Sequence, residues 1–143
     1  MEIGGGLLLE KSSRGAAFGD YDNDGDVDVL VINMNDRPTL LRNDTAATNH
    51  WITIRLVGTK SNRDGIGARV RVEAGQRTQT SLVRGDGSYL SHSDRRAHFG
   101  LGEATRVDRI EIRWPSGLVE PATALAANRF YVAHEGAGVA VER

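Results

Sequence analysis

Apolar and polar residues alternate in several stretches of the chain. The clearest are "WITIRLVG" (51–58), "ARVRVEAG" (68–75) and "DRIEIRWPSG" (108–117). In the first stretch, Ile52, Ile54 and Leu56 fall on one face of an extended chain, while Thr53 and Arg55 fall on the other. Because successive side chains of a strand point to opposite faces, this period of two predicts antiparallel strands with one buried face.

Turn-forming sequences separate the predicted strands. "EAGQ" (73–76) is short enough to join strands 68–74 and 77–83 as a β-hairpin. Two further short strands are predicted at "RFYVAHE" (129–135) and "VAVE" (139–142). The best helical candidate is "PATALAAN" (121–128), which fits a loop with one turn of helix equally well. The pattern as a whole predicts an all-β fold, in the form of an antiparallel β-sandwich-like domain.

The composition narrows the class of protein. The chain has 143 residues, of which 39% are hydrophobic and 26% charged, which is typical of one compact domain, or of one domain plus a fragment of another. The net charge of -1 gives no overall field that would attract nucleic acid, so we expect no nucleic-acid partner. There are no cysteines, and no apolar run is long enough for a membrane span.

An acidic segment, "FGDYDNDGDVDVLV" (18–31), has an aspartate at every second position and contains no lysine, arginine or histidine. The five aspartates are Asp20, Asp22, Asp24, Asp26 and Asp28. Two unit charges about 4 to 6 Å apart repel by a few kcal/mol at an effective dielectric near 20. The repulsion within several such pairs would cancel much of the free energy of unfolding of a domain, which is about 5 to 15 kcal/mol. The pattern therefore indicates a bound cation.

The spacing of these aspartates fits the first half of an EF-hand loop. Asp20, Asp22 and Asp24 occupy the first, third and fifth positions, and Gly25 supplies the sharp turn. The seventh position, Asp26, would offer its backbone carbonyl oxygen. The spacing therefore predicts Ca²⁺ as a structural ion, and Mg²⁺ is disfavoured because it requires a stricter octahedron.

The rest of the loop departs from the EF-hand pattern. The twelfth position holds Val31, within an apolar segment "VDVLVI" (27–32) that predicts a buried strand. Asp28, at the ninth position, must then close the metal site directly. The alternative is a solvated acidic turn without a metal, which rarely combines this spacing with a turn glycine and a following strand.

These segments resemble two known families. The first family is the FG-GAP or VCBS-type repeat of integrin-like β-propellers, which "GAAFGDYDNDGDVDVLVIN" (15–33) resembles. This likeness implies that all five aspartates named above are calcium ligands, with Asp26 binding through its main chain. The later segments resemble the ASPIC/UnbV domain; they are "NHWITIRLVGTKSNRDGIGARVRVEAG" (49–75), "RGDGSYLSHSDRRAHFGLGEA" (84–104) and "VDRIEIRWPSG" (107–117). The resemblance implies a single propeller-type calcium-loop repeat over residues 1–45 and an ASPIC/UnbV-like β domain over 46–143.

A single repeat has consequences for assembly. A propeller requires roughly 4 to 8 blades, so one repeat cannot close a ring and must pack on the following domain or pair with another chain. Exposed strand edges favour pairing between chains. We therefore expect a homo-oligomer or polymer formed by strand-edge pairing, with "EIGGGLLLE" (2–10) as a candidate added strand.

Four other motifs suggest binding or chemistry. "RGD" (84–86) is an integrin-binding tripeptide that also suits a plain turn, and "NDT" (43–45) fits an N-glycosylation acceptor. "SHSD" (91–94) places Ser, His and Asp together, although catalytic triads are assembled in space rather than by adjacency. Arg69 and Arg71 could form a basic face for an acidic polysaccharide, although a solvated strand face is the more ordinary interpretation.

The expected function is a non-catalytic, calcium-stabilised binding or assembly module, with an extracellular protein or polysaccharide as a possible ligand. The alternative is a carbohydrate-active or other hydrolytic domain in the ASPIC/UnbV-like part, which would need a pocket that places His92 or His98 beside a second polar group. The start, "MEIGGGLLLEK" (1–11), is too short and acidic for a signal peptide. We nevertheless expect an extracellular or cell-surface location, reached with an export signal that this sequence does not contain.

Overall fold

A computed structural model of the chain describes residues 8–45 and 48–142. Within this part of the chain there are β-strands and no α-helix, and so no helix that could cross a lipid bilayer. The strands, in chain order, are β1 Ser13–Gly19, β2 Asp28–Asn33, β3 Thr39–Leu41, β4 His50–Val57, β5 Arg69–Ala74, β6 Arg77–Leu82, β7 Ala97–Gly102, β8 Arg106–Arg113, β9 Val119–Ala126, β10 Arg129–His134 and β11 Gly138–Val141. The predicted all-β class is confirmed.

The chain divides into two compact units. The first contains the described residues up to 45 together with Asp86–Asp94, and the second contains the described residues from 48 to Gly85 and from Arg95 onwards. The predicted boundary at residue 46 stays a prediction, since residues 46 and 47 lie outside the described part. The predicted added strand 2–10 also lies largely outside it, because the description begins at Leu8.

The second unit contains two four-stranded sheets, ordered β11–β10–β4–β7 and β6–β5–β8–β9. They enclose one core to which both sheets contribute fully buried side chains, among them Ile52, Ile54, Val70, Val72, Ile110 and Ile112. These are the apolar positions that the alternation placed on the inner faces. Each fully buried side chain of this size contributes about 1.5 to 3 kcal/mol, so this core is the main source of stability.

One strand pair differs from the expected antiparallel arrangement. β10 lies parallel to β4, with Tyr131 opposite Ile54, while the other paired strands are antiparallel. The chain leaves β9 in one sheet and enters β10 in the other through Ala127 and Asn128. The backbone N–H of Asn128 donates to the Trp51 carbonyl at 2.7 Å, which fixes the point of entry beside the start of β4.

The helical candidate at 121–128 is wrong. Most of it belongs to strand β9, which pairs antiparallel with β8. Ala122 and Leu125 pack against the core, so pairing and burial outweigh the high intrinsic helix propensity of alanine. β9 is an edge strand of its sheet, which is where a residue such as Pro121, without a backbone N–H, is tolerated.

The first unit contains a three-stranded antiparallel sheet, ordered β1–β2–β3. The expectation that β2 is a buried strand is only half right, since Leu30 and Ile32 are 40% and 39% exposed. The outer edge of β1 is bonded by side chains of the 86–94 segment: Ser91 Oγ accepts from the Ala16 N–H at 3.0 Å and Ser93 Oγ from the Phe18 N–H at 3.2 Å.

Candidate metal-binding loop

The acidic loop connects the paired ends of β1 and β2. Gly19, the last residue of β1, lies opposite Asp28, the first residue of β2. Asp20 follows Gly19 directly, so the antiparallel pairing of the two strands brings Asp20 and Asp28 together at the base of the loop. Gly25 has a φ of 98°, in the left-handed region that favours glycine, and it provides the sharp turn that the sequence predicted.

Three carboxylates converge at this base. Asp20, Asp22 and Asp28 each place a carboxylate oxygen within 4.8 Å of the others. Asp20 and Asp28 are only 5% and 2% exposed, so water does little to reduce the repulsion between them. Buried charges this close are costly unless a cation lies among them.

Hydrogen bonds from the backbone orient the two buried carboxylates. Asp20 accepts from the N–H groups of Asp24 at 3.1 Å and Gly25 at 3.0 Å. Asp28 accepts from the N–H of Tyr21 at 3.1 Å and from that of Asn43 at 2.8 Å. These hydrogen bonds hold both carboxylates in place at the base of the loop.

The side chains of the other two predicted ligands, Asp24 and Asp26, do not join the three converging carboxylates. The Asp24 carboxylate accepts from the N–H of Asp26 at 2.9 Å and is not among the three that converge. Asp26 is half-buried, and only its main-chain carbonyl was expected to bind the metal. The structure thus brings Asp20, Asp22 and Asp28 together and leaves the side chains of Asp24 and Asp26 outside that group.

The donor set fits a hard cation. It consists of carboxylate oxygens, with main-chain carbonyls available in the same loop, and oxygen is the ligand atom that Ca²⁺ and Mg²⁺ take in proteins. A loop with several acidic residues suits the 6 to 8 oxygen ligands of Ca²⁺ better than the strict octahedron of Mg²⁺.

The two serines of the "SHSD" segment have a structural role. The Ser91 hydroxyl donates to the Tyr89 carbonyl at 2.9 Å besides its bond to β1, and Ser93 also bonds β1. His92 and Asp94 line an open cavity of the first unit, together with Asp20 and Asp28. The cavity therefore places His92 beside the polar side chains of Asp94 and the acidic loop. This is the arrangement that the hydrolytic alternative requires, so that alternative stays a prediction.

The other candidate histidine, His98, has a packing role. Its Nδ1 lies 2.8 Å from the Thr53 hydroxyl, and its ring stacks on Trp51 with centroids 6.0 Å apart. Trp51 is half-buried, whereas Trp114 lies in the core, at 2% exposed.

Sequence reasoning missed the backbone contribution of Asn43, which follows β3 and donates to Asp28 across the sheet. No signal in the sequence identifies it, because a main-chain N–H can come from almost any residue type. It also missed Glu135, a buried carboxylate of the second unit. The only available hint was an acidic residue between the apolar strand 130–133 and Gly136.

The geometry defines an all-β protein with two four-stranded sheets around one core and an acidic loop in a separate unit. The family model described as ASPIC and UnbV matches residues 58–140, more than half of the chain, and the chain therefore belongs to that family. This confirms the ASPIC/UnbV part of the resemblance. The match starts after the acidic loop and does not bear on the FG-GAP or VCBS-type repeat. No curated protein matches the chain.

Proposed function

We propose that this protein is a non-catalytic binding or assembly module whose first unit is stabilised by Ca²⁺. The observation that carries the proposal is the convergence of Asp20, Asp22 and Asp28, two of them almost fully buried. In this proposal the first unit is a single repeat of the FG-GAP or VCBS type, and the ion binds Asp20, Asp22, Asp24 and Asp28 with the main chain of Asp26.

The ion would act on folding rather than on a substrate. Asp28 begins β2 and Asp20 follows β1, so an ion between their carboxylates ties together the two strand ends that the loop connects. A ligand that binds only the folded state raises stability by mass action, in proportion to the logarithm of its concentration. The proposal places the protein outside the cell or at its surface, where the calcium sites of modules have dissociation constants of about 10⁻⁴ to 10⁻³ M.

A non-catalytic role is supported by how the candidate catalytic groups are used. The hydroxyls of Ser91 and Ser93 bond to the backbone of β1, and His98 bonds to Thr53 within a packed cluster. These contacts position strands, which supports a binding or assembly role for this part of the chain.

The test is calorimetric titration of chelator-stripped protein with CaCl₂, together with thermal melting. We expect measurable binding and an increase in melting temperature of several degrees at a calcium concentration about 100 times the dissociation constant, which corresponds to about 2.7 kcal/mol. Asp28→Asn and Asp22→Asn should weaken binding by about tenfold or more, because each removes one charged ligand.

Two variants serve as controls. Asp36→Asn removes an exposed carboxylate of the same unit that pairs with Lys11 at 3.1 Å, and it should leave calcium binding unchanged. Asp26→Asn should also retain binding, because the main-chain carbonyl is unaltered. Absence of both heat and a melting shift at calcium concentrations up to about 100 mM, which is about 100 times the weakest dissociation constant expected for such a site, would reject the proposal.

A further inference from the structure

The outward-facing side chains of the β6–β5–β8–β9 sheet form three rows that run across the strands. The first row contains Leu82, Arg69, Arg113 and Val119; the second Thr80, Arg71, Glu111 and Pro121; the third Thr78, Glu73, Arg109 and Thr123. The residues between them in β5 and β8, such as Val70 and Ile112, point into the core. The first row is called the arginine row below.

Charges are matched across the strands in two of these rows and not in the arginine row. Arg71 lies directly opposite Glu111, and Glu73 lies directly opposite Arg109. In the arginine row, Arg69 lies directly opposite Arg113. Opposite charges at such positions stabilise a sheet and like charges destabilise it, so this row departs from the rule that its neighbours follow.

Neighbouring carboxylates do not neutralise the two like charges of Arg69 and Arg113. Within residues 8–45 and 48–142, no carboxylate makes an ion pair with Arg69. Arg113 reaches Glu111 only at 4.0 Å, and the same carboxylate also pairs with Arg109 at 3.4 Å. The positive charge of the face is therefore concentrated on Arg69 and Arg113.

Both ends of the arginine row are apolar and accessible. Leu82 and Val119 are 46% and 44% exposed, and the Arg113 side chain is 63% exposed. Side chains directly opposite each other have Cβ atoms about 4.5 to 5.5 Å apart, so the two guanidinium groups can reach the same anion. The strand spacing of about 4.8 Å gives the four residues a span of roughly 14 Å across the sheet.

We propose that the arginine row is a binding site for a carboxylated polysaccharide. Two guanidinium forks match one carboxylate group, and the exposed apolar side chains on either side can contact the C–H faces of adjacent sugar rings. Binding the anion would relieve the repulsion between Arg69 and Arg113. The inference deepens the proposed function by naming a ligand class, and it rests on the binding role of the protein but not on the calcium loop.

Other anionic partners fit this surface less well. Proteins that hold single-stranded nucleic acid stack its bases on aromatic side chains, and none of the twelve residues in the three rows is aromatic. Acidic peptides are usually bound in a groove or added to a strand edge, whereas the arginine row crosses the face of the sheet. A row of charge flanked by exposed apolar side chains suits an extended sugar chain with carboxylate groups.

The test measures binding of polygalacturonate to the full chain by calorimetry, in calcium-free buffer that contains a chelator. Dextran, a neutral polysaccharide, is the control polymer. The double variant Arg69→Gln with Arg113→Gln should bind about tenfold more weakly or worse, because it removes both forks. The matched control, Arg71→Gln with Arg109→Gln, removes the same charge from the same face and should change affinity by less than about threefold.

Folding is followed separately with Arg69→Glu. This variant replaces a like-charged pair by an oppositely charged one, so its melting temperature should equal or exceed that of the wild type while polygalacturonate binding is lost. Three results would each overturn the inference: no binding by the wild type, equal losses in the two double variants, or equally tight binding of poly-glutamate or single-stranded DNA. Because calcium is absent throughout, these outcomes are independent of the calcium titration.

Discussion

Glu135 shows how backbone N–H groups and serine hydroxyls together can satisfy a buried charge. Its carboxylate is 3% exposed, and one oxygen accepts from the N–H groups of Thr59, Lys60 and Ser61 at 2.7 to 2.8 Å. The other oxygen accepts from the hydroxyls of Ser61 and Ser116. Successive N–H groups of this kind form an anion-binding nest, so a residue at the end of β10 holds two separate loops in place.

The stability of the protein should depend on the charge of Glu135. Burial raises the pKa of this carboxyl, but hydrogen bonds from Ser116, Ser61 and Thr59 outweigh burial and lower the pKa from 4.5 to about 2. A lowered pKa stabilises the folded state fully above the unfolded pKa, and this contribution is lost as the pH falls from about 4.5 to about 2. We expect Glu135→Gln to melt several degrees lower near neutral pH, with the difference from the wild type narrowing towards about pH 2.

Denaturant unfolding at several pH values measures how much stability Glu135→Gln loses relative to the wild type. Glu103→Gln, at an exposed carboxyl, is the control and should follow the wild type at every pH. A constant difference between Glu135→Gln and the wild type from neutral to acidic pH would show that the ionised form has no special role.

At this scale the sequence predicts only what local spacing determines. The alternate positions of Asp20 and Asp22 follow from the loop itself, and so does the turn at Gly25. Three of the donors to Glu135 are backbone N–H groups about 75 positions away along the chain, and no residue type encodes such groups. Residues that act through distant backbone atoms are therefore the ones that sequence reasoning misses.

The hairpin between β5 and β6 is an element whose turn depends on one residue. Gly75 has a φ of 56°, a left-handed conformation that fits a two-residue hairpin loop. A Cβ at Gly75 would meet nothing within 4 Å, so any penalty for alanine comes from the backbone alone. Gly75→Ala should lower the free energy of unfolding by about 1 to 2 kcal/mol, measured by urea denaturation.

Gly100 provides a matched control for that substitution. It lies in strand β7, has an ordinary φ, and likewise has nothing within 4 Å of an added Cβ. Gly100→Ala should be neutral or slightly stabilising, because alanine reduces the freedom of the unfolded chain. Equal effects at Gly75 and Gly100 would contradict the argument from backbone conformation.

The strands could be predicted from the sequence wherever one face of the strand is buried and the other is exposed. The alternation in β4, β5 and β8 gave both their strand character and their inward-facing residues. β9 was missed because its alanines carry little contrast between the faces, and its identity depends on pairing with β8. The direction of β10 was missed for a similar reason, since period two is the same in parallel and antiparallel pairs.

At the scale of the whole molecule, the first unit exposes an apolar surface that suits association. Leu30 and Leu40 lie opposite each other on one face of the β1–β2–β3 sheet, with Ile32 nearby, and they are 39 to 48% exposed. β3 is a short strand at the edge of that sheet. We propose that copies of the chain associate through this face and edge, in keeping with the homo-oligomer expected from the sequence.

Sedimentation over a wide range of protein concentration tests this proposal. The average mass should rise with concentration in the presence of calcium, and Leu40→Ser should shift association to about tenfold higher concentration by removing apolar contact area. Leu82→Ser removes an equally exposed leucine from the second unit, 46% exposed, and should have no such effect. A monomer at every concentration would exclude self-association.

The parallel pairing of β4 with β10 has a consequence for how the protein is made. β4 is flanked by β7 and β10, so during synthesis one side of β4 stays unpaired until about 70 further residues have been translated. Contacts this distant in sequence slow folding, and the open side of a nascent strand can pair with the wrong chain. The exposed side of β4 is therefore the place where we expect incomplete chains to associate wrongly before the last two strands are present.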